Sequence, residues 1–232
     1  MPIVLFDIDG TLIHSGGAGR KAFERSLEEL YGWREALTGL AIDGRTDPAI
    51  AEAAFLRHRG EPPTDAELSR VFELYLQKLF WEVRRSRRFR VLPGVRPLLE
   101  QLGRRAGVAV GLATGNIETG ARIKLARAGL NRYLPFGGFG SDSADRTTLI
   151  RIAIARGRER LRVGGGSDEA FVVGDTPLDV QSGRQAGART VAVATGPCTS
   201  EELSRAGADI VLRDLTGIET FLSLLEGTLP PP

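Results

Sequence analysis

The chain opens on an unbroken apolar run, Ile3-Val4-Leu5-Phe6, then switches to carboxylates at Asp7 and Asp9. Four apolar residues, two of them β-branched, predict a short buried strand. From residue 20 the apolar period lengthens. Ala22, Phe23, Leu27 and Leu30 fall at helical spacing and predict a helix over 20–31. The stretch before it, Ser15 to Gly19, reads as a glycine-rich hinge, and 32–45, with Gly32, Gly39 and Gly44, as a loop. Thr46 caps a second predicted helix over 47–59, with Pro48 in its first turn. Gly60 to Pro63 breaks the chain. Thr64 followed by Glu67 is a capping-box spacing, and it opens a long helix with the apolar stripe Leu68, Val71, Phe72, Tyr75, Leu79 and Val83.

Beyond Leu92-Pro93-Gly94 the pattern alternates. Continuous apolar runs predict strands at 108–113, 170–173, 190–194 and 210–212. Helices are predicted at 95–105, 118–128, 146–161, 178–186, 200–205 and 218–225. Gly137 to Gly140 reads as a loop shaping a wall, and Pro230 to Pro232 as a disordered tail. Alternation of this kind implies an α/β fold, a parallel sheet with helices on both faces. Such sheets bind ligands at the carboxyl ends of their strands. The division is a core domain of 1–15 and 91–232 and an inserted all-helical domain of 16–90.

Charge and cysteine content narrow the classes. With 31 basic and 29 acidic residues the net charge is +2, too small to argue for nucleic acid or a membrane surface. The arginine run from Arg84 to Arg90 reads as cations at a helix C-terminus, where the helix dipole favours them. One cysteine, Cys198, excludes an internal disulfide framework and a Cys-rich metal site. No apolar run approaches the ~18 residues of a membrane span, and the start lacks the basic region of a signal peptide. The expectation is a cytoplasmic monomer or homodimer without nucleic-acid or membrane partners.

The chemistry concentrates where predicted strands end. Asp7-x-Asp9-Gly10-Thr11 sets two carboxylates side by side with no basic residue among them. Their repulsion is relieved by a bound cation, and Mg²⁺ suits such oxygen ligands. Thr114-Gly115-Asn116 follows the 108–113 run and supplies a hydroxyl, an amide and a helix N-terminus, an oxyanion cradle. Gly174-Asp175-Thr176-Pro177-Leu178-Asp179 follows the 170–173 run and brings a third and a fourth carboxylate. The Gly-rich stretch at 15–19 is no phosphate-binding P-loop, because it lacks the Gly-Lys-Ser/Thr ending.

Taken in order, these three strings resemble the first, second and fourth signatures of the haloacid dehalogenase superfamily. The helical insertion is similar to the C1 cap of its phosphoglycolate phosphatase-like members, and the core to their Rossmann-like sheet. The resemblance implies that Asp7 is a nucleophile forming an aspartyl phosphate, and that Asp9 is the acid/base. It implies that Thr114, Gly10, Thr11, Gly115 and Asn116 surround the phosphoryl group. It implies Mg²⁺ held by Asp7, the Asp9 carbonyl and Asp175, with Asp179 in support. The third signature, usually a Lys before Pro, departs from the pattern. Its cation is either Lys124 or Arg146. Lys124-Leu125 with Gly129-Leu130 looks like a variant pattern and favours Lys124. Asp43-Gly44-Arg45-Thr46-Asp47 resembles the family's specificity loop, with Arg45 facing a substrate anion. The implied activity is Mg²⁺-dependent hydrolysis of a small phosphorylated metabolite, phosphoglycolate among the candidates. A β-phosphoglucomutase-like mutase and a non-catalytic binding protein on the same fold are the alternatives.

Overall fold

The computed structural model describes residues 2–161 and 169–226. The proline tail expected at 230–232 lies outside the described residues. The first half of the chain runs β1 (Ile3–Phe6), β2 (Ile13–His14), α1 (Ala18–Tyr31), α2 (Asp47–Arg59), α3 (Asp65–Arg85), β3 (Arg90–Val91) and α4 (Val95–Arg104). It continues with β4 (Ala109–Thr114), α5 (Glu118–Ala128), β5 (Gly137–Phe139), α6 (Arg146–Leu161) and β6 (Ala170–Gly174). The last elements are α7 (Pro177–Gln185), β7 (Arg189–Val193), α8 (Ser200–Arg205), β8 (Ile210–Leu212) and α9 (Ile218–Leu225).

Six strands form one sheet in the order β5-β4-β1-β6-β7-β8, and every pairing in it is parallel. The strand nearest the N-terminus therefore lies inside, between β4 and β6. Its four residues are all buried, which is why its sequence is continuously apolar rather than alternating. Val4 and Phe6 face a cluster with Leu98, Leu102, Leu125 and Phe221. Ile3 and Leu5 face the opposite cluster, with Phe136, Leu149, Ile150 and Val172. Each such side chain contributes on the order of 2 kcal/mol by burial. The register is held at Asp7: a one-residue slip would draw its carboxylate into the apolar layer.

The chain leaves the core through β2 and returns through β3, which pair antiparallel as Ile13↔Val91 and His14↔Arg90. Between them α1, α2 and α3 build a separate apolar cluster around Phe23, Leu27, Phe55, Tyr75 and Leu79. The Phe23 and Tyr75 rings lie 5.0 Å apart at its centre. Local signals explain these helices. Thr46 accepts from the Ala49 N–H at the start of α2, and Thr64 with Glu67 forms a full capping box on α3. Among the contacts by which the insertion rests on the core, three lie on the side of the strand ends. The Asp47 N–H donates to Gly115 O (2.7 Å), Thr46 Oγ1 donates to Ala144 O (2.9 Å), and Arg146 Nη1 donates to Gly44 O (2.8 Å).

Three local expectations change. Residues 137–139 are an edge strand rather than a loop, paired with Leu112, Ala113 and Thr114. A β-carbon at Gly138 would collide with Leu149 O, so α6 packs on bare backbone there. The hinge expected through Gly19 ends sooner, because α1 starts at Ala18 behind Gly17 in the left-handed region (φ 80°). The ribbon of β2 and β3 has no counterpart in the sequence pattern, since strands of two residues carry no period. Among the described residues no helix is long and apolar enough to cross a membrane.

Candidate active site

The carboxyl ends of β1, β4 and β6 open into one cavity of about 520 Å³ between the sheet and the inserted helices. Asp7 follows β1 directly and its N–H donates to Val173 O at 2.9 Å, so the backbone is still guided by β6 there. The side chain is buried. Burial pushes its carboxyl up to about 7; the Arg146 guanidinium opposes this, Asp179 and Asp9 add to it, and the Thr114 hydroxyl bond opposes it.

Asp175 and Asp179 complete the acidic set. One carboxylate oxygen from each of Asp7, Asp175 and Asp179 lies within 4.8 Å of the others, and all three residues are buried. Asp175 is raised well above the usual carboxylate range, first by burial and then by Asp179 and Asp7. Three hard oxygen donors, crowded and short of positive charge, fit a divalent cation of the Mg²⁺ kind. Asp179 also shapes the backbone. Its Oδ2 accepts from Thr176 N (3.0 Å) and Thr176 Oγ1 (2.6 Å), closing the capping box of α7.

Glycines make room for this cluster. Gly10 has φ 84°, and a β-carbon there would strike the Asp175 carboxylate. A β-carbon at Gly196, after β7, would strike the same carboxylate. Thr11, expected beside the phosphoryl group, instead donates its hydroxyl to Asp175 Oδ1 at 2.9 Å and is buried away from the cavity. Thr195 Oγ1 donates to Gly10 O at 2.6 Å and braces the same turn. Thr195 and Gly196 are not among the residues expected from sequence, although Ala194-Thr195-Gly196 after β7 repeats the Ala113-Thr114-Gly115 string at the end of β4.

Two cations divide three of the four acids. Arg146, opening α6, is buried; its Nη2 lies 3.2 Å from Asp7 Oδ1 and bonds Asp179 Oδ1. Lys124 is buried too, but its Nζ lies 2.5 Å from Asp9 Oδ2 and 2.5 Å from Asn116 Oδ1. Arg146, rather than the favoured Lys124, is therefore the cation that stands against Asp7. The connection Gly115-Asn116-Ile117 delays α5 to Glu118, and Lys124 turns back onto Asp9. Asp9 remains 37% exposed at its side chain. Burial acts to raise its carboxyl, but the Lys124 ammonium and bonds from Lys124, Ser15 and Asn116 outweigh this and hold it below the usual range.

Asn116 bridges two groups, donating from Nδ2 to Thr114 Oγ1 (2.8 Å) and to Asp9 Oδ2 (3.2 Å). Gly115 has no room for a side chain, because a β-carbon there would strike Arg45 O and Thr46. Asp47, at the start of α2, accepts from Ile117 N at 2.9 Å. Burial lifts its carboxyl to about 6, against Lys124 and the Ile117 N–H and with help from Asp9. Arg45 is exposed and lines the cavity, with no ion pair among the described residues. His14 also lines it, its Nδ1 accepting from Gly16 N at 3.0 Å. Tyr75 reaches the cavity from α3; in the sequence it is only one position of an apolar stripe.

Residues 1–187 match the family model of the haloacid dehalogenase-like hydrolases. Among solved structures, CbbY from Rhodobacter sphaeroides, crystallised with phosphate, superposes with a TM-score of 0.70 at 21% identity, covering 92% of this chain and 94% of that one. A predicted phosphoglycolate phosphatase from Haemophilus somnus gives 0.68 at 18% identity, with 95% and 97% covered. A provisionally assigned β-phosphoglucomutase from Bacteroides vulgatus gives 0.68 at 23% identity, with 99% and 90% covered. No curated protein sequence matches significantly. These likenesses establish the fold, and the family match covers most of the chain, including Asp7, Asp9, Thr114, Asp175 and Asp179: the chain belongs to the haloacid dehalogenase-like hydrolases.

Proposed function

We propose that this chain hydrolyses small phosphate monoesters in two steps through an aspartyl phosphate on Asp7. The observation that carries the reading is the division of labour between the two acids. Asp7 is buried on Arg146 and Thr114, whereas Asp9, a residue away, is partly open and sits on Lys124. A nucleophile must be fixed and shielded, and an acid/base must reach both solvent and substrate.

In the first step an Asp7 oxygen bonds to phosphorus while the ester P–O bond breaks. The leaving oxygen takes a proton from Asp9, which is ionised at rest and picks that proton up from solvent across its open edge once the phosphate is beside it. In the second step water attacks the same phosphorus, Asp9 takes a proton from that water, and the bond to Asp7 breaks to release inorganic phosphate. Arg146 and the Thr114 hydroxyl hold Asp7 in line. Gly115 and Asn116, at the start of the connection into α5, face the phosphoryl oxygens. Asp7, Asp175 and Asp179 are the residues that would hold Mg²⁺, together with the Asp9 carbonyl. When bound, that ion neutralises charge as phosphate meets a carboxylate. The three helices of the insertion act as a cap that closes the cavity and selects the substrate, with Arg45 the group placed to read a second anion. A small phosphorylated metabolite such as phosphoglycolate fits that arrangement.

The test is phosphate release from p-nitrophenyl phosphate. Turnover should vanish in EDTA and return with Mg²⁺. Undiminished turnover in EDTA would remove the metal from the reading. Phosphoglycolate and a hexose phosphate in the same screen separate a carboxylated phosphate from a mutase substrate.

A further inference from the structure

Lys124 does not have the surroundings of a phosphate ligand. Its Nζ is 2.5 Å from both Asp9 Oδ2 and Asn116 Oδ1, and Asn116 returns a bond from Nδ2 to that same Asp9 oxygen at 3.2 Å. The ammonium, the amide and the carboxylate thus form a closed triangle on one edge of Asp9. All three inserted helices meet over it. A β-carbon at Gly19 of α1 would lie 3.2 Å from Nζ and 3.8 Å from the Tyr75 hydroxyl of α3. Asp47 of α2 takes the Ile117 N–H, one residue after Asn116. A side chain at position 19 would press on the ammonium.

We propose that Lys124 is a positioning residue for Asp9: seated by the inserted helices, it fixes, with Asn116, the direction in which the Asp9 carboxyl meets the leaving oxygen. The inference rests on the phosphatase reading and gives it a residue that acts through another. The triangle holds Asp9 by Oδ2, and a group already held in place loses no orientational freedom in reaching the transition state. Arg146 has no such link, since it bonds Asp7 and Asp179. The two cations therefore serve different events, one the nucleophile and the other the proton.

The experiment measures kcat/KM of the wild-type protein and of Lys124→Met over a series of phosphate esters, from p-nitrophenyl through less acidic phenyl esters to a simple alkyl ester. A good leaving group departs without a proton and a poor one does not. Lys124→Met should lose ~10²-fold or more on the alkyl ester, the lower range of general acid catalysis, and less than ~10-fold on the nitrophenyl ester. A loss of equal size on every ester, with an unchanged melting curve, overturns the proposal. Removing the ammonium alone leaves Asp9 without its partner, so the pair is also tested with both charges gone. Lys124→Met added to Asp9→Asn should cost no further activity on the alkyl ester, because residues acting as a unit are not additive. Multiplicative losses in that double variant overturn the proposal independently. A wild-type protein inert toward every ester overturns the phosphatase reading and this inference together, whereas wild-type turnover with uniform losses overturns the inference alone.

Discussion

Replacing the buried carboxyl of Asp7 by an amide should stabilise the metal-free protein, and only above mildly acidic pH. Asp7 stands at about 7 in the fold against 3.8 for an ordinary aspartate. At ~1.4 kcal/mol per unit this disfavours its ionised form by about 4 kcal/mol. The folded value is the higher one, so the folded protein keeps its proton where the unfolded chain has lost it. The stability is intact below about 4, falls as pH rises towards 7, and levels off above that. Asp7→Asn has no proton to lose and nearly the same shape, and its amide oxygen still accepts from Arg146. In a chain of this size ~1 kcal/mol moves the midpoint by 2–4 °C, so at pH 8 in EDTA the variant should melt on the order of 10 °C higher. Near pH 4 the two should coincide. Mg²⁺ should raise the wild-type midpoint by mass action and narrow the gap at pH 8. Scanning calorimetry at four pH values in EDTA and in Mg²⁺ reads all of this. A variant less stable than the wild type at pH 8, or a gap that ignores pH, would refute the reasoning.

Arg146→Met strips the guanidinium shared by Asp7, Asp179 and Gly44 O. Breaking a buried ionic contact costs ~3–5 kcal/mol, read by urea unfolding, and kcat/KM should fall alike for alkyl and aryl esters, unlike Lys124→Met; normal turnover would release Arg146 from the nucleophile. Arg45→Ala should raise KM for a carboxylated phosphate more than for p-nitrophenyl phosphate, because this cavity-lining cation has no ion pair among the described residues; equal changes on both substrates would show that Arg45 reads nothing.

Much of the fold is legible in the sequence because its signals are local. Thr46 with Pro48, and Thr64 with Glu67, mark helix starts through hydrogen bonds that span three residues. The runs at Ala170–Gly174 and Ile210–Leu212 are long enough, and sufficiently bounded by turn residues, to read as strands. What escapes depends on distant partners. Gly137 and Gly138 join the sheet only because Leu112 and Ala113 are there to pair with them. Ile13 and His14 are a strand only because Arg90 and Val91 return beside them. Neither pair leaves a period in the sequence, and the central place of β1 likewise follows from pairings with strands more than a hundred residues away.

The acidic half of the site is legible for a different reason: carboxylates are costly at the end of an apolar strand unless something there needs them. Asp7, Asp9, Asp175 and Asp179 announce themselves by position. Cations do not, because Lys124 and Arg146 each look like one more basic residue on a helix. A straight helix from Thr114 would carry position 124 ~15 Å away, so reaching Asp7 calls for a special loop. The special loop exists in Gly115-Asn116-Ile117, but it delivers Lys124 to Asp9 instead. Arg146 needs no detour. It opens α6 beside the strand ends, and its two terminal nitrogens reach Asp7, Asp179 and Gly44 O at once. Choosing between the two requires knowing which anion each one meets. With four acids in one cluster, a net charge of +2 for the whole chain says nothing about that pairing. The decision lies in the depth of each side chain and the length of one three-residue turn. Because Arg146 also holds the backbone of Gly44, the cation beside Asp7, the proposed nucleophile, is tied to the loop that carries Arg45. A substrate anion that moves this loop would thereby move the group that aims Asp7.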